Sequence, residues 1–402
     1  MRDSQVEVQG VGWDLTGEYP APDSAEIDAD FKRLGALLDD IEQRNDALIP
    51  LLDGVTALTD TAAGAIEDAR RIFALIERAR KLLRDPETYA ECCLSVDSRD
   101  EQAQALLGRL QSVGKRFDEL AEPLGQFLDL APGSVVEAYL ADPSVAPSRF
   151  NVEHSRRRRH ELLPLAEENL VTGLGEDGIH AWGRLYDQLS GTLSCDVTEG
   201  NERREVGLAE AAGLMQKPDD RLRENAWRAI NETWDGHVES CAAAINAIAG
   251  WRLELCRKRT SRAGTPVHYL DAPLHANRIQ RETLDTVLQV AEEAIPLARR
   301  AARLQARAYG KEHYGPWDNR APAPVAHGES AEPIAYEEAL DLIASAYGDV
   351  ESEMGDFVRM MAEKRWIEGT VGPRKRPGAY CTGFLKSRTP RVYMTYTGGG
   401  SD

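Results

Sequence analysis

The chain has 402 residues, 42% apolar and 29% charged, and 67 acidic against 48 basic side chains leave a formal net charge of −19. That length is enough for two or three packed units with a sizeable core, and the excess of carboxylates repels nucleic acid and anionic membrane surfaces, so neither is expected as a partner. A basic leader followed by an apolar run is absent, no apolar stretch nears the ~18 residues a membrane span needs, and six cysteines without C-x-x-C or disulfide-framework spacing read as reduced thiols, so a cytoplasmic chain is expected.

In chain order, residues 1–24 read as an extended arm with Trp13, Leu15 and Tyr19 as packing anchors. Ile27, Phe31, Leu34, Leu38 and Ile41, then Ile66, Ala69, Ile72 and Ile76, recur at three- and four-residue steps and predict helical hairpins from Ser24 to about Leu83, with breaks at Asp53-Gly54 and Asp85-Pro86. Another helix is expected from about Asp100 to Leu130, closed by Ala131-Pro132-Gly133. The run Arg156-Arg157-Arg158-Arg159 reads as a solvated turn before a helix rather than an anion site.

Gly173-Leu174-Gly175-Glu176-Asp177-Gly178 matches G-x-G-x-x-G in letters, yet a dinucleotide site needs a strand before the glycines and Leu165–Val171 is helical in pattern. Two successive glycine-rich helix ends are expected instead. His180–Leu189 is amphipathic, Arg203–Met215 reads as a short helix, and Asp219 or Asp220 suits the cap of a long helix from Arg221 to about Arg262. His268 and His275 fall in a Pro-broken loop and read as surface or packing residues; Arg281–Tyr309 reads as a helix interrupted at Pro296, and Tyr336–Trp366 as two more helices meeting near Gly348.

The pattern then changes. Gly378–Phe384 and the β-branched, aromatic run Arg391–Thr397, joined by Lys386-Ser387-Arg388-Thr389-Pro390, predict an antiparallel β-hairpin. The fold class expected is therefore mainly α, a multi-helix body with a small hairpin near the C-terminus. Its units are placed at 1–130 (arm and helical hairpins), 131–199 (a helical linking lobe) and 200–402, the last of which the resemblance described next implies to be an incomplete catalytic unit.

Gly12-Trp13-Asp14-Leu15-Thr16-Gly17-Glu18-Tyr19-Pro20, Leu162–Glu168, the Trp317-Asp318 link and above all Gly378–Phe384 with Lys386-Ser387-Arg388 and Tyr396-Thr397-Gly398 resemble the oligoendopeptidase F branch of the thimet-oligopeptidase-like zinc metallopeptidases. The resemblance implies an endopeptidase acting on oligopeptides, with a zinc-bound water as nucleophile and an H-E-x-x-H helix shortly after the hairpin. None of the eight histidines (His154, His160, His180, His237, His268, His275, His313, His327) lies in that motif: His160-Glu161 starts it, but Pro164 holds the fifth position. Hence no catalytic or metal-binding residue is assigned, no zinc is expected on this chain, and the chain alone is expected to be inactive. The resemblance does carry over the hairpin as a wall of the substrate cleft, with Gly378, Ala379, Tyr380, Cys381 and Thr382 as substrate-contact positions. A non-catalytic helical remnant that binds peptides or partners is the competing expectation, and it would leave apolar surface uncovered.

Overall fold

The computed structural model describes residues 10–59, 62–322 and 334–398. His327 and Ser401-Asp402 lie outside them, as do residues 1–9 of the arm. As expected, the body is helical. Three long helices, α1 (Ala25–Leu48), α2 (Ala63–Val96) and α3 (Glu101–Leu130), pack pairwise. Their apolar stripes, among them Ile27, Leu34, Ile41, Ile72, Leu106 and Phe127, fill the main core. Asp100 caps α3 by accepting the Ala103 N–H at 2.9 Å.

Asp85-Pro86 does not break the chain: Pro86 lies inside α2, which runs on to Val96. Beside it Asp85 is buried, its carboxylate satisfied by backbone N–H groups three hundred residues away, described below. The arginine run forms a short turn, Arg156–Glu161, with Arg157 and Arg159 exposed as expected, but Arg156 is not merely solvated. Arg156 folds back on the end of α3 and donates to the carbonyls of Leu128, Asp129 (2.9 Å) and Ala131 (2.7 Å), satisfying acceptors that a helix C-terminus leaves open.

Short helices α4 (Gly133–Leu140) and α5 (Arg149–Ser155) lead to α6 (Leu165–Gly175) and α7 (Ala181–Thr192). In the glycine-rich stretch α6 ends at Gly175, and a wide turn, Glu176–His180, kinked at the non-helical Gly178, leads into α7. Trp251 explains a glycine there, since a Cβ on Gly178 would lie 2.9 Å from its ring. Next comes an element not expected from sequence, a hairpin of β1 (Ser194–Glu199) and β2 (Glu202–Gly207) turning at Gly200. It shortens the helix expected at Arg203–Met215 to α8 (Leu208–Leu214). The long helix expected from Arg221 is two, α9 (Asp220–Asp235), capped by Asp219, and α10 (Val238–Ala263), parted at Gly236-His237.

After α11 (Asp271–Ala276), α12 (Arg281–Ala308) passes through Pro296 without interruption. In α10 and α12 the buried residues are Ala244 and Ala306 alone, while Val287, Leu288, Val290, Leu297 and Leu304 stand exposed. Helices α13 (Tyr336–Val350) and α14 (Ser352–Glu363) pack on each other and form, with Ile367, Val392 and Tyr396, a groove of about 700 Å³ with a largely apolar lining. Among the described residues no helix is long and apolar enough to cross a membrane.

The chain closes on a three-stranded sheet, β3 (Ile367–Glu368), β4 (Tyr380–Phe384) and β5 (Thr389–Tyr393), in the order β3-β5-β4. The expected β4–β5 hairpin is present and antiparallel, with Tyr380 opposite Tyr393 and Phe384 opposite Thr389; β3 adds a short parallel pairing to β5. Pro390 falls within β5 rather than in the loop. Its missing N–H does no harm, since it faces the side of β5 that the two-residue β3 does not reach.

Candidate functional site: an open strand edge beside a cleft

The two edges of this sheet are treated differently. On the β3 side the N-terminal arm lies against the strand: Gly369 N–H donates to Val11 O at 2.9 Å, Asp14 N–H to Arg365 O at 2.7 Å, and Trp13 N–H to the Glu368 carboxylate at 3.0 Å. Gly10 crosses Gly369 so closely that a Cβ would sit 2.5 Å from its carbonyl oxygen. On the other side β4 is the terminal strand.

Register settles which β4 groups face outward. Val392 and Met394 turn their N–H groups to Trp366 O and Glu368 O, on the β3 side. In an antiparallel pair hydrogen-bonded positions alternate, so Arg391 and Tyr393 bond to Thr382 and Tyr380. The N–H and C=O of Cys381 and Gly383 therefore point to the open edge. Native sheets usually bulge, charge or cover such an edge; here its residues are Tyr, Cys, Thr and Gly.

All five sequence-derived contact positions are on or directly before this strand. Gly378, Ala379 and Cys381 are exposed, Thr382 is half-buried, and Gly378 has a φ of 109°, a value natural to glycine. Tyr380 is fixed by stacking on Tyr393 (ring centroids 4.8 Å apart) and by its hydroxyl, 2.8 Å from Ser95 Oγ. Burial pushes the Tyr380 and Tyr393 phenols well above the ordinary tyrosine range, so both remain neutral donors.

Alongside lies a cleft of about 940 Å³ between α2, α3 and α7, which Arg376 and Leu385, flanking β4, both reach. Its charged walls include Glu91, Lys115, Asp118 and Asp187. Desolvation raises Glu91 and Asp118 above the usual carboxylate range. In an adjoining recess lined by Trp251 and His180, burial pushes Glu122 up to about 7, against the hydrogen bond from Gln126, with Glu168 and Asp129 adding repulsion. A carboxyl group whose folded pKa is raised favours the native state while it is protonated. Its contribution is complete below its ordinary value of 4.5 and is lost as pH rises through about 7. Glu122→Gln is therefore expected to gain stability relative to the parent chain as pH increases across that window, by about 1–2 kcal/mol; urea midpoints at pH 5 and pH 8 check it.

Among the described residues none are arranged as a zinc site. His154 and His275 stack face to face, centroids 3.8 Å apart, with His154 Nε2 donating to the His275 carbonyl at 2.9 Å. Such rings cannot direct lone pairs at one ion. His268 Nδ1 accepts the Leu270 N–H at 3.1 Å, and among the described residues no three His, Cys, Asp or Glu side chains converge as a metal would require.

Sequence reasoning missed the residues that hold the hairpin: Glu18, Asp30 and Asp85, which meet the β4–β5 turn, and Glu368 with Lys375, a buried ion pair at 2.8 Å beneath the sheet. The one available signal was charge at helix-interior positions. Asp30 and Asp85 fall among apolar neighbours at helical spacing, where an unpaired carboxylate would be costly.

A family model described as Oligopeptidase F matches residues 131–194. Among characterised proteins, the group B oligopeptidase PepB of Streptococcus agalactiae is 25% identical over 338 residues, 81% of this chain and 53% of the relative. Oligopeptidase PepF of Bacillus subtilis is 20% identical over 252 residues, covering 61% of this chain and 36% of its own. The chain thus spans about half the length of the first relative and about a third of the second. The oligoendopeptidase F of Enterococcus faecium shares the fold, with a TM-score of 0.60 at 20% identity over 85% of this chain and 66% of that one.

Proposed function

We infer that this chain, a member of the oligoendopeptidase F family, serves oligopeptide hydrolysis by holding the peptide as an added strand along β4. The observation that carries the reading is the asymmetry of the sheet. One edge is covered by the arm, while the other presents the Cys381 and Gly383 main-chain groups beside a cleft. An extended peptide matches such an edge through its own backbone, which gives affinity that depends little on side chains.

The family's hydrolysis is of the zinc-dependent kind; the sequence holds no H-E-x-x-H, and among the described residues no three His, Cys, Asp or Glu side chains converge. Alone, the chain binds without cutting. Titration of the purified chain with an isotopically unlabelled oligopeptide, blocked at both ends, is expected to shift the Cys381 and Gly383 amide resonances. A quenched version of the same peptide is expected to remain intact with added zinc. Unshifted amides overturn the binding role; chelator-sensitive cleavage overturns the non-catalytic assignment.

A further inference from the structure

We propose that Glu18, Asp30 and Asp85 are positioning residues for the peptide-binding edge: three buried carboxylates, from the arm, α1 and α2, that grip the four-residue turn after β4. The proposal rests on the reading of β4 as a peptide-binding strand and assigns what sets that strand's place.

Each carboxylate takes a different part of the turn. Asp85, fully buried, accepts the backbone N–H of Leu385 at 2.6 Å and of Lys386 at 3.0 Å. Asp30, its side chain 1% exposed, accepts the Lys386 ammonium and the Tyr19 hydroxyl, each at 2.6 Å, and Arg33 from its own helix. Glu18 accepts Ser387 Oγ (2.9 Å), Thr389 Oγ1 (2.6 Å) and the Arg391 guanidinium (3.1 Å). Lys386 and Arg391 supply the cations that let three acids sit so close together.

The grip reaches the far end of the same strand. Ten residues along α2 from Asp85, Ser95 takes the Tyr380 hydroxyl on its Oγ and the Tyr393 hydroxyl on its carbonyl. Those ten residues of helix span about 15 Å, and the five from Tyr380 to Leu385 span about 17 Å as a strand. One helix therefore gauges β4 at both ends. A turn needs no buried carboxylates merely to close, and a free hairpin of this size is marginal in water. The three acids convert a weak hairpin into a fixed template, which lowers the ordering cost when a peptide docks.

Asp85→Ala in the whole chain tests this, with hydrogen exchange and the affinity for a fluorescently labelled, end-blocked oligopeptide as readouts. Exchange at Thr382, Phe384 and Leu385 is expected to accelerate by roughly tenfold or more, and peptide affinity to fall by about the same factor, while Leu106 and Leu110 of α3 keep their protection. A variant that melts earlier yet exchanges at β4 and binds peptide as the parent does would reduce Asp85 to general stability and overturn the proposal. Should Asp85→Ala not fold, Lys386→Ala removes a half-exposed side chain, and the same two readouts are expected to move in the same direction. If the parent chain itself binds no peptide, the strand-addition reading falls, and exchange at β4 alone then decides the grip.

Discussion

Replacing Glu368 by methionine is expected to destabilise the chain by about 3–5 kcal/mol, the largest loss from any single substitution beside the sheet. The Glu368 and Lys375 side chains are each 1% exposed, and Lys375 also donates to the Thr370 and Met394 carbonyls at 2.7 and 2.6 Å. Without the carboxylate the ammonium stays buried with no counter-charge, and the Trp13 and Thr370 N–H groups lose their acceptor. Desolvation already pulls Lys375 below the ordinary lysine range, and the carboxylate opposes that fall. In the variant the native state gives up this proton more readily than the unfolded chain does, so the unfolded state binds more protons and stability rises with pH. The deficit in urea midpoint should accordingly be largest at neutral pH and shrink toward alkaline pH. Adding Lys375→Met is expected to recover about half of the loss, because removing both charges costs far less than stranding one. A single variant within about 1 kcal/mol of the parent at neutral pH would show that the pair carries little.

The second large effect separates binding from folding on adjacent residues. Cys381→Pro removes an N–H that points away from β5, and proline is tolerated on the outer side of an edge strand. Thr382→Pro removes one that bonds to Arg391. We expect Cys381→Pro to stay within about 1 kcal/mol of the parent but to weaken oligopeptide binding roughly tenfold. Thr382→Pro is expected to cost about 2–3 kcal/mol and to loosen the hairpin. Fluorescence anisotropy alongside urea denaturation gives both numbers. If Cys381→Pro binds as the parent does, the peptide does not lie on this edge.

Much of the architecture was legible because period and burial agree. Helix α1 and the first half of α2 were marked by apolar residues at three- and four-residue steps, and the β4–β5 hairpin by a β-branched and aromatic run. Reading failed where local rules did not hold. Pro86 and Pro296 continue their helices, although proline normally ends one. Strand β2 begins Glu202-Arg203-Arg204-Glu205, with no apolar alternation to distinguish it from a helix, and it exists because β1 offers a ladder. The five edge positions were found from the resemblance, but which of their amides face outward depends on β3, two residues long and without a pattern of its own. The acids around the turn were invisible as a group because their partners lie hundreds of residues away along the chain.

The docking of the N-terminal arm also sets an order of events during synthesis. Trp13 waits for Glu368 and Glu18 for Arg391, separations of 355 and 373 residues. At the roughly 5–20 residues per second of a translating ribosome, the arm emerges tens of seconds before the strands it will lie against. Through that interval the nascent helices can pack, yet Asp85 has neither the Leu385 nor the Lys386 amide to meet, Asp30 has only Arg33 and Tyr19, and Glu18 lacks Arg391. The strands made later are thus the ones that bury the earlier arm, and the sheet is complete only when the arm and the strands have met.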